Sequence, residues 1–236
     1  MDVPPAPGLF VTGTDTDAGK TVVAATIVGR LAGEGLRPGV YKPAASGGDG
    51  DARTLWEAAG RPLDLASVCP QSFRTPIAPH HAAREEGRRL DEALLVAGLD
   101  PWRATSDVIV VEGAGGLFSP LSERLLNVDL ALRFGFPVVI VDGGRLGCVG
   151  RVLATVTAAR ARGLVTAAVV ISQVTADDAR TADDPTAPRR IAADGVDELR
   201  RRLADLPVAL LPHRGAETLP ALDWMALASR RPSPRP

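Results

Sequence analysis

LFVTGTDTDAGKT, residues 9–21, sets the short apolar run Leu9–Thr12 directly against a glycine-bearing loop that closes on Gly-Lys-Thr. A loop of this kind between a strand and a helix wraps backbone N–H groups around phosphate oxygens, and the helix N-terminus adds positive potential. Lys20 then reaches the terminal phosphates and Thr21 ligates Mg²⁺. The strict phosphate-loop spacing places a glycine where this chain has Thr14; here Gly13 stands one position earlier. The loop is therefore a variant. A plain strand–turn–helix elbow would explain Gly-Lys-Thr alone, but not its company: an apolar strand before it and an Ala/Val-rich helical pattern from Thr21 to Leu31 after it.

Outward from this loop, short Val/Ile/Leu runs recur at Leu9–Thr12, Gly39–Lys42, Val108–Glu112, Pro137–Asp142, Ala167–Ser172 and Pro207–Leu211. Helical patterns lie between them, at Thr21–Glu34, Ala52–Ala59, Arg89–Leu99, Val128–Arg133, Val149–Arg162 and Val196–Leu203. This rhythm predicts an α/β fold, a single-domain phosphate-loop architecture whose mostly parallel sheet carries helices on both faces. Ligands of such sheets sit outside the carboxyl ends of the strands. There the chain places KPAASGG (Lys42–Gly48), EGAGG (Glu112–Gly116), DGGRLGCVG (Asp142–Gly150) and ISQ (Ile171–Gln173). Residues 1–8 read as a flexible lead-in, 9–228 as one nucleotide-binding domain, and 229–236 as a disordered tail; Asp177–Arg190 has the charge and proline content of a mobile surface loop.

Composition narrows the partners. With 236 residues, 45% of them hydrophobic, the chain can bury a full core. A net charge of −1, from 27 basic and 28 acidic residues, gives no global field for nucleic acid or anionic membrane, so the expected ligands are small molecules held locally. Cys69 and Cys148 offer neither a disulfide framework nor a metal set. No signal-like segment or membrane-length apolar run is present, which reads as soluble and cytoplasmic.

Lys42 comes at a predicted strand end, before Pro43. Beside a phosphate loop, a second ammonium neutralises charge on donor and acceptor of a phosphoryl group. Glu112 closes an all-apolar strand, VIVVE, where an acid is costly to bury without a partner. Glu112, Asp51 and Thr21 are the expected Mg²⁺ ligands; Asp51 could instead serve only as a helix N-cap, and Asp49 rivals it for either role. Gly113, Gly115 and Gly116 allow close approach of backbone to ligand. Gly147, Cys148 and Gly150 precede a helix whose leading amides suit a carboxylate or phosphate. His80, His81 and His213 show no metal spacing. The single asparagine, Asn127, excludes the guanine-reading Asn-Lys-x-Asp loop, which disfavours a conventional GTPase. The residues thus lead to Mg²⁺-dependent phosphoryl transfer from a nucleoside triphosphate to an anionic acceptor near Lys42, and leave that acceptor unnamed.

Over nearly its whole length the chain resembles the dethiobiotin synthetases. The likeness is carried by GTDTDAGKT, YKPAASG (Tyr41–Gly47), PQSFRTPIAPHHAAREEG (Pro70–Gly87), VEGAGGLFSPL (Val111–Leu121) and PVVIVDGGRLGC (Pro137–Cys148). The resemblance implies a homodimer that uses ATP and Mg²⁺ to join 7,8-diaminononanoate with CO₂ and close the ureido ring of dethiobiotin, so that 9–228 is a synthetase domain. It implies catalytic roles for Lys42, Lys20 and Thr16, and substrate contact from Ser46. Asp17, Ala18, Gly19, Lys20, Thr21 and Val22 would line the nucleotide phosphates, with Asp51, Glu112, Gly113, Ala114 and Gly115 beside them. Pro212, His213 and Arg214 match a segment that lies against the base. The chain departs from the family in two places. Its LGxxNH motif reads LGCVGR, with Gly150 and Arg151 in place of Asn and His, so that Gly147 and Cys148 keep only backbone amides for a substrate carboxylate. After the fifth strand, Ser172-Gln173 replaces the Asn that reads adenine, which implies relaxed base selectivity. A catalytically silent nucleotide-binding module is the rival reading, and retention of Lys42, Asp51 and Glu112 speaks against it. A fused glutaminase would bring a further domain, and a partition-type ATPase an early lysine in the loop; neither is present in this sequence.

Overall fold

The computed structural model describes residues 6–175, 186–214, 219 and 222–231. Six strands make one parallel sheet: β1 (Gly8–Gly13), β2 (Pro38–Tyr41), β5 (Val108–Gly116), β6 (Val138–Asp142), β7 (Thr166–Ser172) and β8 (Val208–Leu211), in the order β2-β5-β1-β6-β7-β8. Their near-continuous apolar sequences follow from burial on both faces. Leu9, Phe10, Val11, Val138–Val141 and Val169–Ile171 have no exposed surface.

The chain leaves β1 toward β2 on one side of the sheet, and β6 toward β7 on the other. Right-handed crossovers in opposite directions place their helices on opposite faces. Helix α1 (Lys20–Gly33), with α2 (Gly50–Ala58) beside it, packs on β1, β2 and β5; α8 (Cys148–Ala161) and α9 (Ala187–Arg202) pack on β6, β7 and β8. The reversal falls at β1, which is flanked by β5 and β6. That switch point is where an open α/β sheet leaves its crevice, and β1 ends in the Gly-Lys-Thr loop.

All six expected strands and six expected helices are present with shifted ends. Five differences matter. Strand β5 continues past Glu112 through Gly116, and its register with β1 slips between Val11 and Gly13. Asn127, at the start of α7 (Asn127–Phe134), holds this irregular stretch by donating from Nδ2 to the carbonyls of Ala114 and Gly116 while its Oδ1 accepts from Ala114 N–H. A second, two-stranded parallel sheet pairs β3 (Ala45–Ser46) with β4 (Ser72–Phe73); strands of two residues carry no periodicity to read. The expected helix Arg89–Leu99 forms as α5 (Glu92–Ala97), because Asp91 caps it by accepting from the amides of Ala93 and Leu94.

Helix α9 begins nine residues before the expected Val196, at Ala187 with Pro188 in its first turn, so Ala187–Arg190 is helix where a mobile loop is expected. Short helices α3 (Leu65–Val68), α4 (Pro79–Glu85), α6 (Asp100–Thr105) and α10 (Trp224–Ala228) escape the sequence patterning because each spans two turns or fewer. The remainder of that loop expectation, at 177–185, lies outside the described residues, as do most of the expected lead-in and tail. No described helix is long and apolar enough to cross a membrane.

Candidate active site

The loop from Gly13 to Lys20 turns back over the end of β1. A Cβ on Gly13 would meet the Asp15 carbonyl oxygen at 2.5 Å, so the turn accepts only glycine there. The position that lacks the usual glycine uses its side chain instead: Thr14 Oγ1 donates to Asp142 Oδ2 at 2.6 Å. Gly19 takes φ 85° and caps α1 without a side chain, leaving the leading amides of the helix for a ligand. Lys20 Nζ rests 3.4 Å from the Asp15 carbonyl.

Facing this loop, Lys42 follows β2 and Glu112 sits in β5, two strands that are hydrogen-bonded neighbours. Lys42 Nζ lies 2.7 Å from both Glu112 Oε1 and Asp51 Oδ2. Thr21 Oγ1 donates to Glu112 Oε1 at 3.0 Å. Burial works against the Lys42 ammonium, but Glu112 and Asp51 more than offset it and hold its pKa above the ordinary lysine value. Lys20 moves the other way: burial lowers its pKa, the charge on Lys42 adds to the effect, and Glu112 opposes it. Asp51 is also penalised by burial, yet the charge and hydrogen bond of Lys42 bring its pKa below the usual carboxylate value. Asp51 therefore belongs to the site and is the second residue of α2, whereas Asp49 stands at the N-cap and pairs with Arg53.

Mg²⁺ prefers oxygen ligands and keeps part of its shell for water and phosphate. No group of three or more His, Cys, Asp or Glu is gathered among the described residues. Thr21, Asp51 and Glu112 nevertheless offer a hydroxyl and two carboxylates on one side of the loop. Glu112 Oε2 is buried without a hydrogen-bond partner. An orphaned carboxylate oxygen at that depth costs free energy unless a cation reaches it, so the donor set fits Mg²⁺.

Thr16, Asp17, Gly19, Lys20, Thr21, Val22, Lys42, Ser46, Asp51, Glu112, Ala114 and Gly115 line one cavity of about 560 Å³. A second cavity, of about 240 Å³, shares Thr16, Ser46, Ala114 and Gly115 with it and continues between Ile77, Pro79 and Pro120. The arrangement puts anion-binding groups at one end and an apolar slot at the other. Ala18 is buried within the loop, Gly113 lies in β5 against Asn127 and Phe10, and neither lines these two cavities. Ser172 and Gln173 are buried at the end of β7, and a Cβ on Gly19 would fall 2.4 Å from Ser172 Oγ, so that hydroxyl packs under the loop. Pro212, His213 and Arg214 follow β8, and Gly147, Cys148 and Gly150 stand at the start of α8; none of them lines either cavity. Cys148 N–H is already bonded to the Arg145 carbonyl, so the carboxylate-binding role expected of that amide is not available within this chain. With Ser172 turned under the loop, rates with GTP or CTP are expected to approach the rate with ATP. A strong preference for ATP in a three-nucleotide comparison would show that other groups read the base.

The sequence reading assigned no role to Val174, which lines the main cavity, or to Asp142. Asp142 has the same signature as Glu112, an acid closing an apolar run: VVIVD beside VIVVE. That signal was legible.

Comparison with known proteins agrees with this geometry. A family model described as an AAA domain matches residues 7–210. An ATP-dependent dethiobiotin synthetase of Rhodopirellula baltica is 42% identical over 184 residues, which are 70% of this chain and 72% of that protein. The enzyme of the same name from Anaeromyxobacter dehalogenans is 41% identical over 209 residues, 87% of this chain and 89% of its own. Among solved structures, the cell division protein FtsY of Thermotoga maritima superposes with a TM-score of 0.51 at 16% identity, over 97% of this chain and 69% of that one. At that identity the likeness is one of fold.

Proposed function

The chain belongs to the ATP-dependent dethiobiotin synthetase family, and we propose from that premise how its residues divide the reaction. The substrates are 7,8-diaminononanoate, CO₂ and ATP; the products are dethiobiotin, ADP and phosphate. One amine of the diamine adds to CO₂ and loses a proton, giving a carbamate. A carbamate oxygen attacks the γ-phosphorus, the bond to the ADP oxygen breaks, and a carbamic-phosphoric anhydride forms. The second amine then attacks the carbonyl carbon, phosphate leaves with the bonding pair, and the amine proton passes to solvent or phosphate.

Little covalent chemistry falls to the protein; its contribution is position and charge. Lys20 and the leading amides of α1 hold the β- and γ-phosphates. Lys42 faces the space between the loop and Ser46, where its ammonium stabilises the carbamate and the phosphoryl group in flight. Thr16 and Ser46, shared by both cavities, orient the reacting amines, and the slot between Ile77, Pro79 and Pro120 takes the aliphatic chain. Thr21, Asp51 and Glu112 would hold Mg²⁺, which when bound neutralises charge on the triphosphate. The protein acts as a cytoplasmic homodimer in which Gly147 and Gly150 at the start of α8 of one protomer serve the site of the other, which accounts for their absence from the cavities of a single chain; the Cys148 amide takes no part, being bonded to the Arg145 carbonyl. Pro212, His213 and Arg214 border the base.

The observation that carries this reading is Lys42, Asp51, Glu112 and Thr21 converging on a phosphate loop within one cavity. Purified protein given ATP, Mg²⁺, bicarbonate and 7,8-diaminononanoate, with one component omitted at a time, is expected to release phosphate in step with ring-closed product and only in the complete mixture. Phosphate release without diamine, or nucleotide binding without turnover, overturns it.

A further inference from the structure

Asp142 ends β6 with no exposed side-chain surface, and the proposed reaction gives it nothing to do. Both of its oxygens are nevertheless fully engaged. Thr14 of the phosphate loop donates to Oδ2 at 2.6 Å, Gly144 N–H donates to Oδ1 at 3.0 Å, and Arg151 from the first turns of α8 binds both oxygens, Nε to Oδ2 at 2.8 Å and Nη2 to Oδ1 at 3.0 Å. Arg151 Nη1 also donates to the Leu146 carbonyl at 3.1 Å. A two-pronged guanidinium–carboxylate pair fixes direction as well as distance. Its guanidinium is therefore spent on Asp142 and the preceding turn, not held out for a substrate carboxylate. The cavity that Arg151 does line, with Thr14 and Asp142, is about 80 Å³, too small for a nine-carbon diamine.

We propose that Arg151 is a positioning residue that holds the phosphate loop in its nucleotide-binding shape through Asp142 and Thr14. The inference rests on the nucleotide-binding part of the reading above and deepens it. Thr14 occupies the position where the usual loop has glycine, so its backbone is tied down by a side-chain hydroxyl that a glycine lacks. The acceptor of that hydroxyl is a buried charge, and Arg151 is the cation that compensates it. Arg151, which by sequence stands where the family's substrate contact is lost, becomes part of the loop's support from the opposite face of the sheet.

The test is titration of ADP and Mg²⁺ into the wild type, Arg151→Met, Thr14→Val and the double variant, with melting temperatures recorded in parallel. Because ADP binding needs no diamine, the titration reads the loop whatever acceptor the enzyme uses, and a wild type that binds ADP but makes no dethiobiotin refutes only the reaction. Each single variant is expected to weaken ADP binding by about tenfold, and the double variant by no more than the worse single one, since both cut the same chain of contacts. In turnover, the KM for ATP should rise while the KM for diamine and kcat at saturating ATP stay within about twofold. Arg151→Lys keeps charge but not the fork, and should fall between wild type and Arg151→Met. If Arg151→Met fails to fold, Asp142→Asn/Arg151→Met removes the buried charge with its partner and should show the same loss of ADP affinity. Unchanged ADP affinity, strictly additive losses, or a rise confined to the KM for diamine overturns the proposal.

Discussion

Replacing Lys42 by alanine is expected to lower single-turnover phosphoryl transfer by about 10³-fold, the upper range for loss of one preorganised charge-stabilising donor, while ADP affinity stays within about tenfold of wild type. The two readouts separate because Lys20 and the loop amides hold the nucleotide, whereas Lys42 stands across the cavity, where the transferred group and its acceptor meet. The substitution also removes the cation shared by Asp51 and the fully buried Glu112. Stripping one partner from a buried pair costs on the order of 3–5 kcal/mol, so the variant should melt early and regain part of the loss in Mg²⁺. Rapid-quench measurement of phosphate from saturated enzyme gives the first number, and melting with and without Mg²⁺ the second. Unimpaired transfer in Lys42→Ala would remove this lysine from the reaction.

The second large effect is expected at Glu112. Glu112→Gln keeps the shape of the side chain and an acceptor for Lys42 and Thr21, but removes one negative charge and one hard ligand. Turnover should fall by about 10²–10³-fold, and the Mg²⁺ concentration for half-maximal rate should rise by at least about tenfold. Asp51 retains its own pairing with Lys42 at 2.7 Å, so the fold survives and the loss reads as metal chemistry. Mn²⁺ titration followed by relaxation enhancement reports binding apart from rate. If Mg²⁺ dependence and Mn²⁺ affinity both match wild type, Glu112 is not a ligand, and its orphaned Oε2 has another explanation.

How much of this was legible without coordinates depended on whether the information was local. The six strands announce themselves because parallel strands buried on both faces must be apolar along their length. Lys42, Asp51 and Glu112 could be nominated from their places at strand and helix ends, and all three meet in one cavity with Thr21. The choice between Asp49 and Asp51 was open, since both suit the start of a helix by sequence; two positions are roughly half a turn of helix, so Asp51 meets Lys42 while Asp49 pairs with Arg53.

What remained closed to the sequence involved partners far along the chain. Thr14 and Asp142 are 128 residues apart, and nothing in either segment says that β1 and β6 are neighbours. Arg151 reads alone as a lost histidine; its meaning appears only when the start of α8 is seen beside the end of β6. Asn127 reads as an ordinary helix residue until its amide is found bracing the bulge after Glu112. By itself, then, the sequence determined the strand-loop-helix rhythm, the phosphate loop and the identities of its charged groups, because these depend on periodicity and on the chemistry of adjacent residues. The tertiary structure decided which charges pair, which amide is already taken and which arginine supports the loop, because strand order and helix packing set those distances and no local pattern encodes them.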